Sequence, residues 1–543
     1  MASIVTVLFL LLAVVVSGAL ARLTRLPLPL VQIALGAAIT STTLEDVVLN
    51  PDVFFLLFLP PLLFLDGWRL PKDDLARDRG IVLQLALGLV VFTVVGLGLL
   101  LHWLIPTMPL PVAFALAAVV SPTDPIAVSA IASRAPIPKR MMHILEGEAL
   151  LNDASGLVCM RFAVLAMVTG AFSVQAAFAT FLWVAFGGLA VGFLVTWAIT
   201  AGKRWATRRF GEDTSSEILV SLLIPFGAYL MAEQLECSGI LAAVSAGITM
   251  GFNEQTGQAL AVTRVRRAAV WDTVQFALNG VIFVLLGEQM PAILENAEEA
   301  VQLAGHHHPW WLAVYVLAIV LALAALRFIW VWFSLRLTLF RAARRGEPRQ
   351  KVSRRLVAAM SFAGVRGAIT LAGVLTLPLA LADGTAFPAR DLVIFLAAGV
   401  IVVSIVLASI ALPRLLKGLQ LPPEPTHQSD IDKVRVAAAR SAILAIEKTQ
   451  RGLAEGLADI DLYTDASARI MEVYRHRIDH HEQPPEIVAK NRQVDQIERQ
   501  LRLAALRAER DEIFRMARAR EIGDEAARRM VREIDLLEAR YGA

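Results

Sequence analysis

The sequence predicts an all-α polytopic membrane protein: about 13 transmembrane helices in inverted repeats, two of them broken (spans 5 and 12), followed by a helical cytoplasmic C-terminal tail. Three observations lead there. Hydrophobic residues make up 57% of the 543 and charged residues 18%, and mean hydropathy is +0.61, far from the soluble average. Apolar windows long enough to cross hydrocarbon recur through the first 420 residues, with Lys and Arg crowded into alternate connections. Beyond Pro422 and Pro423 the composition turns to charged residues and Ala with helical apolar spacing.

The windows lie near 3–21, 28–42, 53–66, 81–104, 111–133, 144–172, 177–200, 216–235, 239–252, 271–291, 311–338, 356–382 and 391–418. The first could pass for a secretory leader, but no Lys or Arg precedes it, so it is expected to be a membrane helix that is not cleaved. The formal net charge of +3 decides little, because placement of Lys and Arg matters more than their sum. That placement alternates. Arg22 and Arg25, Arg69 to Arg79, Arg134 to Arg140, Lys203 to Arg209, Arg264 to Arg267, Arg341 to Arg355, and Arg414 with Lys417 occupy every second connection. The intervening loops, such as "TTLEDVVLNPD" and "ENAEEAVQLAGHHHP", are acidic or neutral. The expected topology therefore has the N-terminus outside and the tail cytoplasmic, in a plasma (inner) membrane. The domains expected are a transmembrane domain over 1–420 and a cytoplasmic helical tail over 424–543. In the tail, His476, His480 and His481 fall in "YRHRIDHHEQPPE", which reads as a solvated turn, since a metal site needs more convergent ligands. Cys159 and Cys237 read as small buried hydrophobes.

Function is expected where ionisable groups sit at membrane depth, because each is costly there. Span 5 carries "SPTDPIAV", span 6 "EGEALLND", span 11 Arg327 and span 12 Arg366 within "FAGVRGAITLAG". Two prolines flank Thr123 and Asp124 and remove backbone donors, and glycines at 364, 367 and 373 surround Arg366, so both helices should break. Spans 5 and 12 are seven apart. An odd offset makes them run in opposite directions, and paired interruptions in oppositely oriented halves point to an inverted-repeat transporter with its site at the midplane.

Glu148 and Asn152 are four apart and share a helix face, with Asp153 one step round. A buried Glu facing an Arg can stay charged, and Arg327 is the natural partner for Glu148. Asp153 then has no obvious counter-charge. Such a carboxylate satisfies itself with a proton or with a small cation, and the two compete for one site. Hard cations take oxygen ligands, so Asp153, Thr123, water, and Asn152 or a carbonyl of span 5 would build a shell for Na⁺, with Asp124 the next carboxylate in reach. Competition at a single site with access alternating between two faces is cation/proton antiport. A transporter exchanging K⁺ for H⁺ is the rival reading. A cation channel would need a continuous pore, and a membrane-anchored sensor would not explain polar residues buried in four spans.

The sequence resembles the monovalent cation/proton antiporters of the NhaP and NHE type over roughly residues 20–420, through "PPLLFLDG", "SPTDPIAVSAI", "EALLNDASGLV", "CSGILAAVSAGITMG" and "FAGVRGAITLA" in the family's order. The resemblance implies a homodimer, a dimerisation part from the first span and the middle of the chain, and a mobile core holding the crossed broken helices. It implies that Asp153 binds ion and proton in turn, that Asn152 marks the electroneutral Asn-Asp class, and that Glu148, Arg327 and Arg366 are structural charges of the core. The chain departs from the family pattern at Ala149, where close relatives have Ser, so one cation ligand is missing. The partners expected are Na⁺ or Li⁺ and H⁺ as substrates, the lipid bilayer and a second copy. No enzyme activity, nucleic acid or cofactor is expected.

Overall fold

The structure is a computed structural model that describes residues 2–40, 51–70, 80–132, 137–169, 174–254, 260–295, 301–302, 308–344, 353–381, 384–417, 427–454, 460–482 and 485–542. Most of the basic connections 71–79, 133–136 and 345–352 lie outside these residues, as do 296–300 and 303–307 of the acidic loop. The chain divides into two compact units, Met1–Gln420 and Leu421–Ala543.

The first unit is built from α1 (Ala2–Thr24), α2 (Leu28–Thr40), α3 (Pro51–Arg69), α4 (Gly80–Leu104), α5 (Leu110–Val120), α6 (Pro125–Ala132), α7 (Lys139–Thr169), α8 (Val174–Phe210), α9 (Thr214–Gln234), α10 (Gly239–Glu254), α11 (Ala261–Glu295), α12 (Trp310–Arg344), α13 (Arg354–Phe362), α14 (Ala368–Leu375) and α15 (Arg390–Leu416). By length and composition, eight of these can cross a membrane: α1, α4, α7, α8, α9, α11, α12 and α15. The expected thirteen also needs α2, α3, α10 and the two broken helices. Of these, α2 and α10 are short, α3 carries Asp52, Asp66, Arg69 and two internal prolines, and spans 5 and 12 are each split in two. Large apolar side chains such as Leu12, Val15, Trp183, Phe186, Leu317 and Leu321 are exposed, the surface a helix presents to lipid.

Both breaks form where the sequence removes helical hydrogen bonds. Helix α5 ends at Val120, and α6 restarts at Pro125, a residue suited to a first helical position because its missing N–H has no partner there in any case. Asp124 caps the restart, its Oδ1 accepting from the Ala127 amide at 3.4 Å. Helix α13 ends at Phe362, and α14 begins after Gly367, whose backbone is extended. The two breaks satisfy each other. The Asp124 amide donates to the Val365 carbonyl at 2.8 Å, and Arg366 Nε donates to the Val120 carbonyl at 2.8 Å. Backbone groups freed by the breaks are thereby paired, which makes irregular chain tolerable inside the helical bundle. Gly367 permits the approach, since a Cβ there would collide with the Asp124 carboxylate.

The inverted repeat is visible in packing as well. Helix α2 packs on α11, and α3 on α10. An offset of seven spans carries the first pair onto the second. Both pairs close by reciprocal glycine-to-carbonyl contact: Gly36 on Val284 and Gly287 on Ile33 in one, Gly67 on Val244 and Gly247 on Phe64 in the other. Small residues that let backbones touch are how helices hold together where lipid removes the hydrophobic drive.

The second unit consists of α16 (His427–Ala454), α17 (Ile460–Glu482), α18 (Pro485–Arg518) and α19 (Asp524–Gly542). Helices α18 and α19 pack through Leu506, Ile513, Ala527 and Ile534, with Arg510 on Asp535 at 3.0 Å. The "YRHRIDHHE" stretch, expected to be a turn, is instead the end of α17. No Pro or Gly interrupts it before Pro484, so helix propagation wins over its polar composition.

Candidate functional site

Helix α7 runs beside the first break, and Glu148, Asn152 and Asp153 are buried on it at 1%, 1% and 7% exposure. Glu148 is fully committed. Its two oxygens accept a bidentate pair from Arg327 of α12, at 2.5 Å from Nη1 and 2.7 Å from Nη2. Arg327 Nε donates in turn to the Met360 carbonyl at 2.9 Å, so this one guanidinium ties α7 and α12 to the second broken helix. Thr123 Oγ1 donates to Glu148 Oε1 at 3.4 Å and accepts from Asn152 Nδ2 at 2.9 Å. The result is a continuous chain from Arg327 through Glu148 and Thr123 to Asn152. Asn152 Oδ1, buried, ends the chain without a partner among the described residues.

Arg366 is 5% exposed and serves backbone: besides the Val120 carbonyl it reaches the Gly364 carbonyl, and its amide donates to Ser404 Oγ at 3.1 Å. It therefore places a cation at the C-terminal end of α5, where helix carbonyls are unpaired. Asp124 places a carboxylate at the complementary position, capping α6 and lying against the start of α14.

Asp153 stands apart from this network. It opens into a cavity of about 50 Å³ with Thr123, Asp124, Ala149, Gly367 and Thr370 on the side of the broken helices. Asp66 of α3 and Asn279 of α11 face the same space from a wall that is otherwise apolar, with Leu59, Leu62 and Phe283. At roughly 10–15 Å³ for each water, the space suits one ion and a few waters. The Asp153 carboxylate has no hydrogen bond or ion pair among the described residues.

The structure thus brings all seven residues singled out from the sequence into one region. Thr123 is engaged through its hydroxyl, which leaves its carbonyl as the freer oxygen. Three cavity residues went unassigned in the sequence. Asp66 carried a usable signal, a carboxylate at the end of the apolar run "PPLLFLD"; Asn279 and Thr370 are single polar groups of a kind too common in spans to stand out. Arg161, about two turns beyond Asp153 on α7, is exposed and lies 3.7 Å from Glu233.

Residues 8–418 match the family described as sodium/hydrogen exchanger, transmembrane. The chain belongs to the sodium/hydrogen exchanger family. One member, the uncharacterized Na⁺/H⁺ exchanger YjcE of Escherichia coli, is 42% identical over 98% of both chains. Another, the sodium, potassium, lithium and rubidium/H⁺ antiporter of Bacillus pumilus, is 38% identical over 95% of this chain and 74% of its own. The exchanger fold is seen also in the sodium proton antiporter MjNhaP1 of Methanocaldococcus jannaschii, which aligns with a TM-score of 0.58 at 18% identity over 77% of this chain and 99% of that one. This exchanger is accordingly a multi-pass membrane protein.

Proposed function

We propose that the chain exchanges Na⁺ or Li⁺ for H⁺ across the plasma membrane, one for one, by alternating access at Asp153, and so serves pH and sodium homeostasis. The observation that carries this is the contrast at α7: Glu148 has a bidentate cation, while Asp153 opens into a cavity that also holds Asp124, Thr123 and Asp66 and has no protein partner among the described residues. A proton and a monovalent cation neutralise Asp153 equally, so the core moves with the same net charge in either direction and the cycle is electroneutral. Asn152 adds no charge to that balance. Glu148, Arg327 and Arg366 hold the crossed helices in register as fixed charges. The shell for Na⁺ is made by Asp153, the Thr123 carbonyl, Asp124 and water.

K⁺/H⁺ exchange at the same carboxylate is the second reading, favoured by the Bacillus pumilus relative, whose name includes potassium and rubidium. Family membership gives no support to a channel or an anchored sensor. The protein works as a homodimer with α1 and the middle of the chain at the interface, the N-terminus outside and the tail in the cytoplasm.

The deciding experiment is cation-dependent pH change in vesicles holding the purified protein, with Na⁺, Li⁺ and K⁺ compared. Raising the pH on the cation-loading side should lower the apparent Km until Asp153 is fully ionised. A Km for Na⁺ that ignores pH would overturn the shared site. Orientation is tested by a cysteine at Glu295, expected to react with an impermeant probe only from outside.

A further inference from the structure

A cation that exchanges its water for protein needs several oxygens, and the hydroxyls beside Asp153 are mostly committed elsewhere. Ala149 offers none. The Thr123 hydroxyl already donates to Glu148 and accepts from Asn152. The Ser155 hydroxyl, next along α7, donates to the Leu151 carbonyl at 2.8 Å. One hydroxyl on the cavity wall is uncommitted. Thr370 lies in the first turn of α14, 2% exposed, its amide donating to the Gly367 carbonyl at 3.2 Å. It lines the same cavity as Asp153, Asp124 and Ala149, and its hydroxyl has no hydrogen-bond partner among the described residues.

That omission calls for a reason. Buried hydroxyls in helices usually bond back to a carbonyl three or four residues earlier. Six residues along the same segment Thr376 does so, its Oγ1 donating to the Gly373 carbonyl at 2.7 Å. Ser361 before the break does so as well, at 2.8 Å to Val357. Thr370 alone of the three faces the cavity, where an oxygen has something other than backbone to serve.

We propose that the Thr370 hydroxyl is a ligand of the transported cation, supplied by the second broken helix in place of the oxygen absent at Ala149, and that it sets selectivity among monovalent cations. The inference rests on Asp153 being the exchange site. It adds an oxygen from the second broken helix to those from the first, so the cation itself bridges the two breaks. The smaller the ion, the more hydration it gives up and the more it loses with one ligand.

The test is Thr370→Val, which keeps the shape and removes the oxygen, with Thr370→Ser and the double variant Thr370→Val, Ala149→Ser beside it. Transport is read in reconstituted vesicles. Cation binding is read separately, as the Na⁺ concentration that half-maximally raises the melting temperature of purified protein. Thr370→Val should raise both half-saturation values about tenfold, the scale of one hydrogen-bond-strength contact to a charge. Li⁺ should suffer most and K⁺ least, with the maximal rate nearly kept. Thr370→Ser should match wild type, and Ala149→Ser should recover part of the loss. Values for Thr370→Val within twofold of wild type for all three ions would overturn the proposal. So would a loss that neither serine corrects, because that identifies packing as the cause; if Thr370→Val does not fold, Thr370→Ala is read by the same criteria. Asp153→Asn separates the two levels of argument. If it is inactive and Thr370→Val is normal, only the ligand role fails. If it still exchanges, the shared carboxylate fails with it.

Discussion

Two carboxylates stand five residues apart on one buried helix and meet opposite surroundings. Glu148 faces α12 and the second break, where Arg327 closes on both of its oxygens. Asp153 faces the cavity, where the other ionisable groups on the wall are two further aspartates, Asp124 and Asp66. The comparison teaches that burial alone does not make a membrane carboxylate functional. Burial with a matched cation fixes a charge and converts it into structure, whereas burial without one leaves a charge that must be neutralised from solution.

The sharpest way to break the comparison is to remove the titration at one carboxylate and keep its shape. Asp153→Asn should abolish exchange, by a hundredfold or more, with folding and melting temperature unchanged or raised. Residual Na⁺/H⁺ exchange at a substantial rate would shift the site to Asp124. Asp153→Glu should retain some transport with a displaced pH profile.

The reverse behaviour is expected of Glu148. Glu148→Ala or Arg327→Ala strands a buried charge and should cost roughly 3–5 kcal/mol, seen as lower yield and melting temperature before any effect on the transport cycle is read. The double variant should be less damaged than the sum of the two single ones, because it strands nothing. Normal yield and melting temperature for both single variants would mean that the pair is not structural.

How far these roles were legible in the sequence follows from what each depends on. The helices were legible because apolar runs and basic loops are local properties, and the breaks were legible because Pro122, Pro125 and the glycines around Arg366 act on their own backbone. The commitment of Thr123 was not. Its hydroxyl is claimed by a residue 25 positions away and another 29 away, and helical spacing fixes only which face a side chain occupies, not what stands opposite. For the same reason the opposing wall, with Asp66 and Asn279, emerged only when α3 and α11 were seen to face α7 across the cavity. Eight helices are long and apolar enough to cross by length and composition alone, a measure that passes over short or split helices such as α2, α10 and the two broken ones.

A smaller effect is expected where the two regions join. Thr123→Val keeps the shape and removes the hydroxyl that links Glu148 to Asn152. Arg327 still holds Glu148, so the stability loss should be on the order of 1 kcal/mol, the net worth of an ordinary hydrogen bond, with the Asn152 amide left unpaired. The measurement is a melting curve beside the Km for Na⁺. A loss as large as that of Glu148→Ala would show that the network fails as a unit and that the two regions are not separable.

The last prediction concerns Asn152, which lies between the regions in sequence and in space. Its Nδ2 donates to Thr123, so its amide group belongs to the Glu148 network, yet it is the immediate neighbour of Asp153. Asn152→Asp replaces that donor by an acceptor. Thr123 has a single proton, already given to Glu148, so the new carboxylate cannot be served without breaking the existing bond. The variant should therefore fold, with transport disturbed a few-fold in Km or rate, and it should not become electrogenic merely by gaining a carboxylate. Charge movement would require the new group to bind and release its own proton in step with the cycle, whereas its place in the Glu148 network sets it among fixed charges. A membrane potential generated by Asn152→Asp vesicles on adding Na⁺ would sink this reasoning and place residue 152 in the exchange cavity with Asp153. Kinetics identical to wild type would show instead that the Thr123–Asn152 bond has no part in shaping the site.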